Sequence, residues 1–449
     1  MDLVDIQSAL GGTSKGQSLH DFMRLLYPIC RSITGEGVRQ TLRHLQQHIP
    51  LDIREVASGT KVFDWTVPLE WNIRDAYIAT TAGDRVVDFQ NSNLHVVGYS
   101  TPIKGRYRRE ELAGHLHSLP DRPDWIPYRT SYYKENWGFC LTHRQLTELE
   151  DSEYEVCIDS TLSPGHLSYG EVFLPGERKE EVLISCHVCH PSLCNDNLSG
   201  IAVATYLAKT IGRVARKYSY RVLFLPGTIG SITWLARNQD RTHLIRHGVV
   251  LTGVGDSGHV TYKRSRQGNA YVDRIFRHVL KHRGPGNKVV DFSPYGYDER
   301  QYCSPGFNLP VGCFMRTAHG EYPEYHTSAD NLEFVSPAAL QDSLEILLQA
   351  VYAIENDVVP LSLNPYCEPQ LGKRGLYRAI AGQKEGAQKE MALLWVLNLS
   401  DGEHTLLDIA ERADVPFEII HAAARALTEC KLLECTPMAQ VTRHEGDQL

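Results

Sequence analysis

Glu181-Val182-Leu183-Ile184-Ser185-Cys186-His187-Val188-Cys189-His190-Pro191-Ser192-Leu193-Cys194-Asn195-Asp196-Asn197-Leu198-Ser199-Gly200 decides how this chain is read. Its first five residues form a short apolar run of the kind that makes a buried strand, which places His187 at the carboxyl end, where open α/β sheets build their sites. Asn195 to Gly200 then opens an alanine-rich helix expected over Gly200 to Ile211. Two histidines and an aspartate at a strand-to-helix junction are donors that zinc accepts. A second cluster far downstream, Tyr325-His326-Thr327-Ser328-Ala329-Asp330-Asn331, can complete a set of His187, Asp196 and His326.

Working outward, the pattern from about Tyr132 alternates strands with helices. Strands are expected at Tyr154 to Ile158, Gly170 to Leu174, Val182 to Cys186, Tyr220 to Leu225 and Val249 to Leu251, and a helix at Gln341 to Ile354. Such alternation predicts a three-layer α/β domain with a largely parallel or mixed sheet. Ser18 to Leu45 reads as helix, loop, helix. Leu51 to about Pro127 changes to short alternating runs broken by Gly and Pro, which predicts a small β-rich insertion. Pro360 to Pro369 reads as a linker. Beyond it, Lys389 to Leu399, Thr405 to Arg412 and Phe417 to Leu427 are amphipathic helices followed by the strand-like Leu432 to Thr436, an order that suggests a winged helix. The expected domains are therefore 1–50 with 132–385, an insertion at 51–131, and a winged-helix-like domain at 386–449.

Hydrophobic residues make up 42% of the 449-residue chain and charged residues 22%, ordinary values for a globular protein, and the net charge of -8 offers no general attraction to nucleic acid or anionic membranes. Residues 391–449 hold ten acidic against four basic side chains, so the winged helix is expected to make protein contacts or drive self-association rather than bind DNA. No apolar run approaches a membrane span and the first residues lack the pattern of a signal peptide, so a cytoplasmic location is expected, with no membrane partner. Eleven cysteines without regular spacing argue against a disulfide framework, and the Cys186 and Cys189 pair lacks the distant partner pair of a structural zinc site.

The two metal-type clusters resemble the zinc aminopeptidase superfamily, in which a strand-end His pairs with an Asp that begins an Asp-Asn-x-Ser-Gly helix and the last ligand lies in a Tyr-His-Thr-x-x-Asp segment. More narrowly, Cys30-Arg31-Ser32-Ile33-Thr34-Gly35, Pro127-Tyr128-Arg129-Thr130-Ser131-Tyr132-Tyr133, Trp137-Gly138-Phe139-Cys140, Thr228-Ile229-Gly230-Ser231 and Asp298-Glu299-Arg300-Gln301 resemble a bacterial aminopeptidase-like family with a small inserted domain and a C-terminal winged helix. Members of that family often sit near polysaccharide-biosynthesis genes. The resemblance implies a zinc-aminopeptidase-like fold and metal ligands His187, Asp196 and His326.

Three departures qualify the resemblance. Where the superfamily carries two adjacent glutamates, a general base and a ligand of a second zinc, this chain has Gly227 and Thr228. A further carboxylate after the next strand is missing near Leu251, with Asp256 the nearest candidate. Three ligands and an open position imply one zinc ion rather than two. Candidate substitutes for the missing base are His190, Asp298, Glu299 and Glu321. Arg129, Tyr132, Tyr133, Arg300 and Arg316 are candidates to bind substrate, since an acidic group would meet a free amine and an Arg fork a carboxylate. The expected function is zinc-dependent hydrolysis of an amide or aminoacyl small substrate. The alternatives are a catalytically impaired zinc-binding or assembly protein and a zinc enzyme of altered chemistry in a biosynthetic pathway.

Overall fold

The computed structural model describes residues 5, 6, 8, 14–376 and 384–437. Two amphipathic helices, α1 (Gly16–Leu26) and α2 (Glu36–Gln46), lead into β1 (Asp52–Ala57). Next come the two-residue arms of a hairpin, β2 (Lys61–Val62) and β3 (Trp65–Thr66), followed by β4 (Glu70–Thr80), β5 (Arg85–Asp88) and β6 (Ile103–Arg108). A short parallel pair, β7 (Leu116–His117) and β8 (Phe139–Cys140), precedes β9 (Glu153–Ser163).

The large mixed sheet is built from β1, β10 (His166–Leu174), β11 (Glu181–His187), β12 (Ser219–Leu225), β13 (Ile245–Leu251), β14 (Thr261–Lys263), β15 (Lys288–Val290) and β16 (Val311–Met315). Its order is β1-β10-β12-β11-β13-β16-β14-β15. The strands β12, β11, β13 and β16 run parallel at its centre, and an antiparallel pairing flanks them on each side, β10 on β12 and β14 on β16. Every residue of β11 and β12 is buried, which is why both read as unbroken apolar runs rather than alternating ones. Helix α3 (Gly200–Ile211) packs on β11 and β12. This is the mixed α/β architecture that the alternation predicts.

Two expectations need correction. The Tyr154 to Ile158 strand does not belong to the large sheet: as β9 it pairs with β4 and β6 in a separate four-stranded antiparallel sheet of order β5-β4-β9-β6. Its alternating burial is that of a half-covered antiparallel strand, whereas β1, within the stretch read as insertion, pairs with β10 in the large sheet. The small sheet thus draws its strands from residues 70–163 rather than from within 51–131.

The described residues of 346–437, with 274–287, form their own compact unit. It contains helices over Lys384–Leu399, Leu406–Ala413 and Phe417–Glu429 and the strand Leu433–Pro437, the winged helix. The stretch read as a linker in fact begins with its first strand: Val358–Ser362 pairs antiparallel with Leu433–Pro437. Pro360 is tolerated there because a two-stranded ribbon leaves one side of each strand without a ladder partner. Arg274, on the helix Tyr271–Lys281, reaches both Asp408 and Glu411 at 2.6 Å. No helix among the described residues is long and apolar enough to cross a membrane.

Candidate metal centre

His187 closes β11 and lies opposite Leu225, the last residue of β12, so the centre opens at the carboxyl ends of the parallel strands. Asp196 sits in the irregular turn Cys194–Ser199 that enters α3. Its neighbours fix it from both sides. Asn195 donates to Asp256 Oδ2 at 3.0 Å and accepts from the Gly255 and Asp256 amides, while Asn197 donates to the Leu251 carbonyl at 3.0 Å. Asp330 accepts the backbone N–H groups of Asn195 and Asp196 at 2.5 and 2.9 Å. Burial raises the Asp330 carboxyl to about 8.

Three imidazoles converge on the Asp196 carboxylate. His187 Nε2 is 2.8 Å from Oδ1, and His326 Nε2 is 3.1 Å and His190 Nε2 3.7 Å from Oδ2. Potential ligand atoms of His187, His190 and Asp196 all lie within 4.8 Å of one another, and all three residues are buried. Burial would raise the Asp196 carboxyl, but His190, His187 and His326 outweigh it and hold the group well below the ordinary carboxylate range. Burial holds His190 well below its usual value in spite of the adjacent carboxylate, so its ring is neutral. Imidazole nitrogens grouped around an ionised oxygen donor fit a divalent zinc-type cation.

The sequence motifs meet around this cluster. Pro127 bridges Thr327, and the Tyr128 amide donates to the His326 carbonyl at 2.8 Å, so the Pro-Tyr-Arg-Thr segment fixes the Tyr-His-Thr segment. The Tyr128 ring packs against both His190 and His326, and its hydroxyl meets that of Tyr132 at 3.1 Å. Arg31, buried in the Cys-Arg-Ser-Ile-Thr-Gly segment, donates from Nε to the His190 carbonyl at 2.8 Å and orients that loop.

The other predicted residues divide. Asp298 is fully buried ahead of the short helix Glu299–Tyr302 and accepts from Ser231 Oγ at 2.8 Å, while its Oδ2 has no hydrogen-bond partner among the described residues. Glu299 is committed to Lys263 at 2.5 Å and to the Tyr297 amide, which makes it a brace. Arg316 donates to the Gly258 carbonyl and to Asp342, so its fork is occupied within the protein rather than free for a substrate carboxylate. Arg129, Tyr133 and Glu321 are exposed and Arg300 is half-buried. Asp256 holds Asn195, Gly258 and Thr317.

Tyr297 is the residue that sequence reasoning missed. A Cβ at Gly227 would lie 2.0 Å from its Cε1 atom, so the Tyr297 ring occupies the space into which a side chain at 227 would project. The same ring stacks on His187 with centroids 3.8 Å apart, and its hydroxyl is 3.4 Å from Cys189 Sγ. No spacing rule links positions 227 and 297. His319, beside Tyr297 and Tyr325, was also missed; its buried Nε2 has no hydrogen-bond partner.

Burial raises Asp298 from its ordinary 3.8 to about 7. Between those values the folded protein holds a proton that the unfolded chain has released, so this group's contribution to stability falls as pH rises through that window and stays low above it. Asp298→Asn keeps the Ser231 bond and removes the ionisation. The variant is expected to gain on the wild type in thermal stability between pH 5 and pH 8, by up to a few kcal/mol. Parallel melting curves at the two pH values check this; an unchanged difference would show that Asp298 does not titrate there.

Residues 20–357 match the family described as Domain of unknown function (DUF4910), and residues 358–435 match a winged helix-turn-helix model. The chain belongs to the former family. A relative from Clostridium acetobutylicum, provisionally named a polysaccharide biosynthesis protein with aminopeptidase-like domain, is 52% identical over 419 residues, covering 93% of this chain and 96% of the relative. A crystal structure of a provisionally assigned peptidase from Clostridium acetobutylicum superposes with a TM-score of 0.91 at 50% identity, covering 96% of this chain and 98% of that one. The zinc aminopeptidase BSAP from Bacillus subtilis superposes with a TM-score of 0.54 at 12% identity, over 76% of this chain and 96% of its own. The fold of this DUF4910 member is aminopeptidase-like.

Proposed function

We propose that this protein is a zinc-dependent hydrolase acting on an amide or aminoacyl bond in a small substrate. The carrying observation is the convergence of His187, His190 and His326 on the single buried carboxylate of Asp196. His187, Asp196 and His326 are assigned to hold one zinc ion, the set implied by resemblance to the aminopeptidases. A zinc ion in such a site acts as a Lewis acid on a carbonyl and lowers the pKa of its water to about 7.

The chain's own groups divide the remaining work. His190, neutral and held by Arg31 through its carbonyl, is in the right protonation state to accept a proton at Nε2. The Tyr128 ring walls the cluster beside His190 and His326, and the Tyr325 ring stacks on His326. The side chain of His326 is 35% exposed, the most open of the three imidazoles, so substrate would approach on its side. The name of the Clostridium acetobutylicum relative favours a substrate from polysaccharide biosynthesis.

One observation favours a second reading. With Tyr297 in the space beside Gly227, no carboxylate stands there, and four donors closing on one ion would resemble a structural zinc site rather than a catalytic one. The same experiment separates the readings: a panel of aminoacyl and amide substrates is assayed on zinc-loaded protein, after chelation, and in His190→Ala. The hydrolase reading expects zinc-restorable turnover and a loss of about 10²- to 10⁴-fold in kcat for His190→Ala with zinc retained. Zinc loss in His190→Ala, with no turnover by any form, supports the closed site.

A further inference from the structure

The β2–β3 hairpin places the large aromatic side chains of Phe63 and Trp65 on the surface. Phe63 is 51% exposed and Trp65 44% exposed, and Tyr133, packed edge-on against Trp65, is 53% exposed. Phe63 meets Phe307 in the same edge-on manner. A protein does not gain from leaving three large rings in water unless they serve a contact.

Their backbones carry a second, independent signal. Phe63 has φ 57° and Tyr133 has φ 62°, the left-handed region that bulky side chains rarely enter. Such strain gathers at ligand clamps and functional sites. Here it falls on the two most exposed rings of the cluster.

Between the rings lies a cavity of about 340 Å³. Phe63, Trp65 and Phe307 wall it, and Ile232 and Leu235 of α4 (Ile229–Arg237) contribute apolar surface. Three polar side chains, Asp64, Gln301 and Ser304, also line it, and no lysine or arginine does. None of the three makes a side-chain hydrogen bond within the described protein, so a carboxylate, an amide and a hydroxyl are left for a ligand. The lack of a cation disfavours phosphate, nucleotide or carboxylate ligands. The combination of ring faces with uncommitted donors and acceptors suits a molecule with apolar C–H faces and a rim of hydroxyls. The volume stands at the small end of ligand cavities, about 300–1,000 Å³, enough for one or two sugar rings.

We propose that this groove is a binding subsite for a neutral saccharide unit, with Trp65 and Phe63 as stacking platforms and Asp64, Gln301 and Ser304 as hydroxyl partners. The subsite goes beyond the hydrolase reading and does not depend on it. The walls do adjoin elements of the metal centre along the chain: α4 follows Gly227, and Gln301 lies three residues after Asp298. A saccharide held there would suit a substrate whose sugar part is recognised apart from its scissile bond.

The test titrates the full chain with cellotriose, maltotriose and N-acetylchitotriose up to about 10 mM, followed by tryptophan fluorescence and calorimetry, with zinc and after chelation. Binding of at least one trisaccharide in both metal states is expected. Trp65→Ala and Phe63→Ala should each weaken it at least about tenfold, with melting temperature and zinc content unchanged. Both positions are exposed, so the pair keeps the test valid if one variant folds poorly. The proposal is overturned if none of the three binds, if binding ignores both substitutions, or if the substitutions instead convert a dimer to a monomer, which would make the aromatic face a contact with a second copy. Because binding is read in chelated protein, its failure is distinct from failure of the zinc chemistry.

Discussion

Gly227→Glu, the substitution that would supply the carboxylate expected at this position from the aminopeptidase resemblance, is expected to lower stability rather than create an active site. The first atom it adds would stand 2.0 Å from Tyr297 Cε1, a separation that forces the ring to move. Tyr297 cannot move cheaply: it is stacked on His187 and touches Cys189, and burial pushes its phenol well above the usual range. Overpacking of this kind costs about 1–3 kcal/mol, and a carboxylate without a partner in the same space adds to it. Gly227→Glu combined with Tyr297→Ala should recover part of the loss, because the second change opens the space that the first requires. Chemical denaturation of the two single variants and the double variant measures this coupling. If Gly227→Glu alone were as stable as wild type, Tyr297 would not be the group that fills the position.

The second large effect is expected at Asp196. It is the one carboxylate that all three imidazoles face, and it is 1% exposed. Asp196→Ala should reduce zinc content to background and leave His187, His190 and His326 crowded around a void. His187→Ala removes one nitrogen and keeps the carboxylate, so zinc should bind more weakly but still measurably at high concentration. That order, Asp196→Ala worse than His187→Ala, distinguishes a shared central ligand from a peripheral one.

Much of this was legible in the sequence, for identifiable reasons. The run Glu181 to Ser185 is apolar because β11 is covered on both faces, and that placed His187 at a strand end. Asp196 and His326 were singled out by their metal-type clusters and the aminopeptidase resemblance, and the fold brings both beside His187; Asn195 and Asn197 tie the turn to β13 and the loop after it, and Asp330 holds the Asp196 amide. The winged helix followed from amphipathic periodicity, although its first strand was hidden by Pro360, which reads as a breaker unless the strand is known to lie in a two-stranded ribbon. Strand β9 carries clear alternation, but alternation does not say which of two sheets a strand will join. Tyr297 was illegible for a more basic reason. Its role depends on the absence of a side chain 70 positions earlier, and only the folded chain brings those two places together.

The same juxtaposition shows that glycine at 227 leaves no empty cavity. Glycine at 227 and tyrosine at 297 form one packed unit: a ring stands where a carboxylate would, and its neighbour His187 gains a stacking partner. Under the proposed hydrolase reading, the base would come from the imidazole side of the centre, where burial holds His190 well below its usual value.

The central claim is that the Asp196 cluster binds zinc, and metal analysis of the full chain purified without chelator tests it most directly. Elemental analysis by mass spectrometry should find about one zinc per chain in the wild type, and background zinc in a folded Asp196→Ala variant. Folded wild-type protein that takes up no stoichiometric zinc even when supplied with it, or zinc that stays bound in Asp196→Ala, would contradict the account.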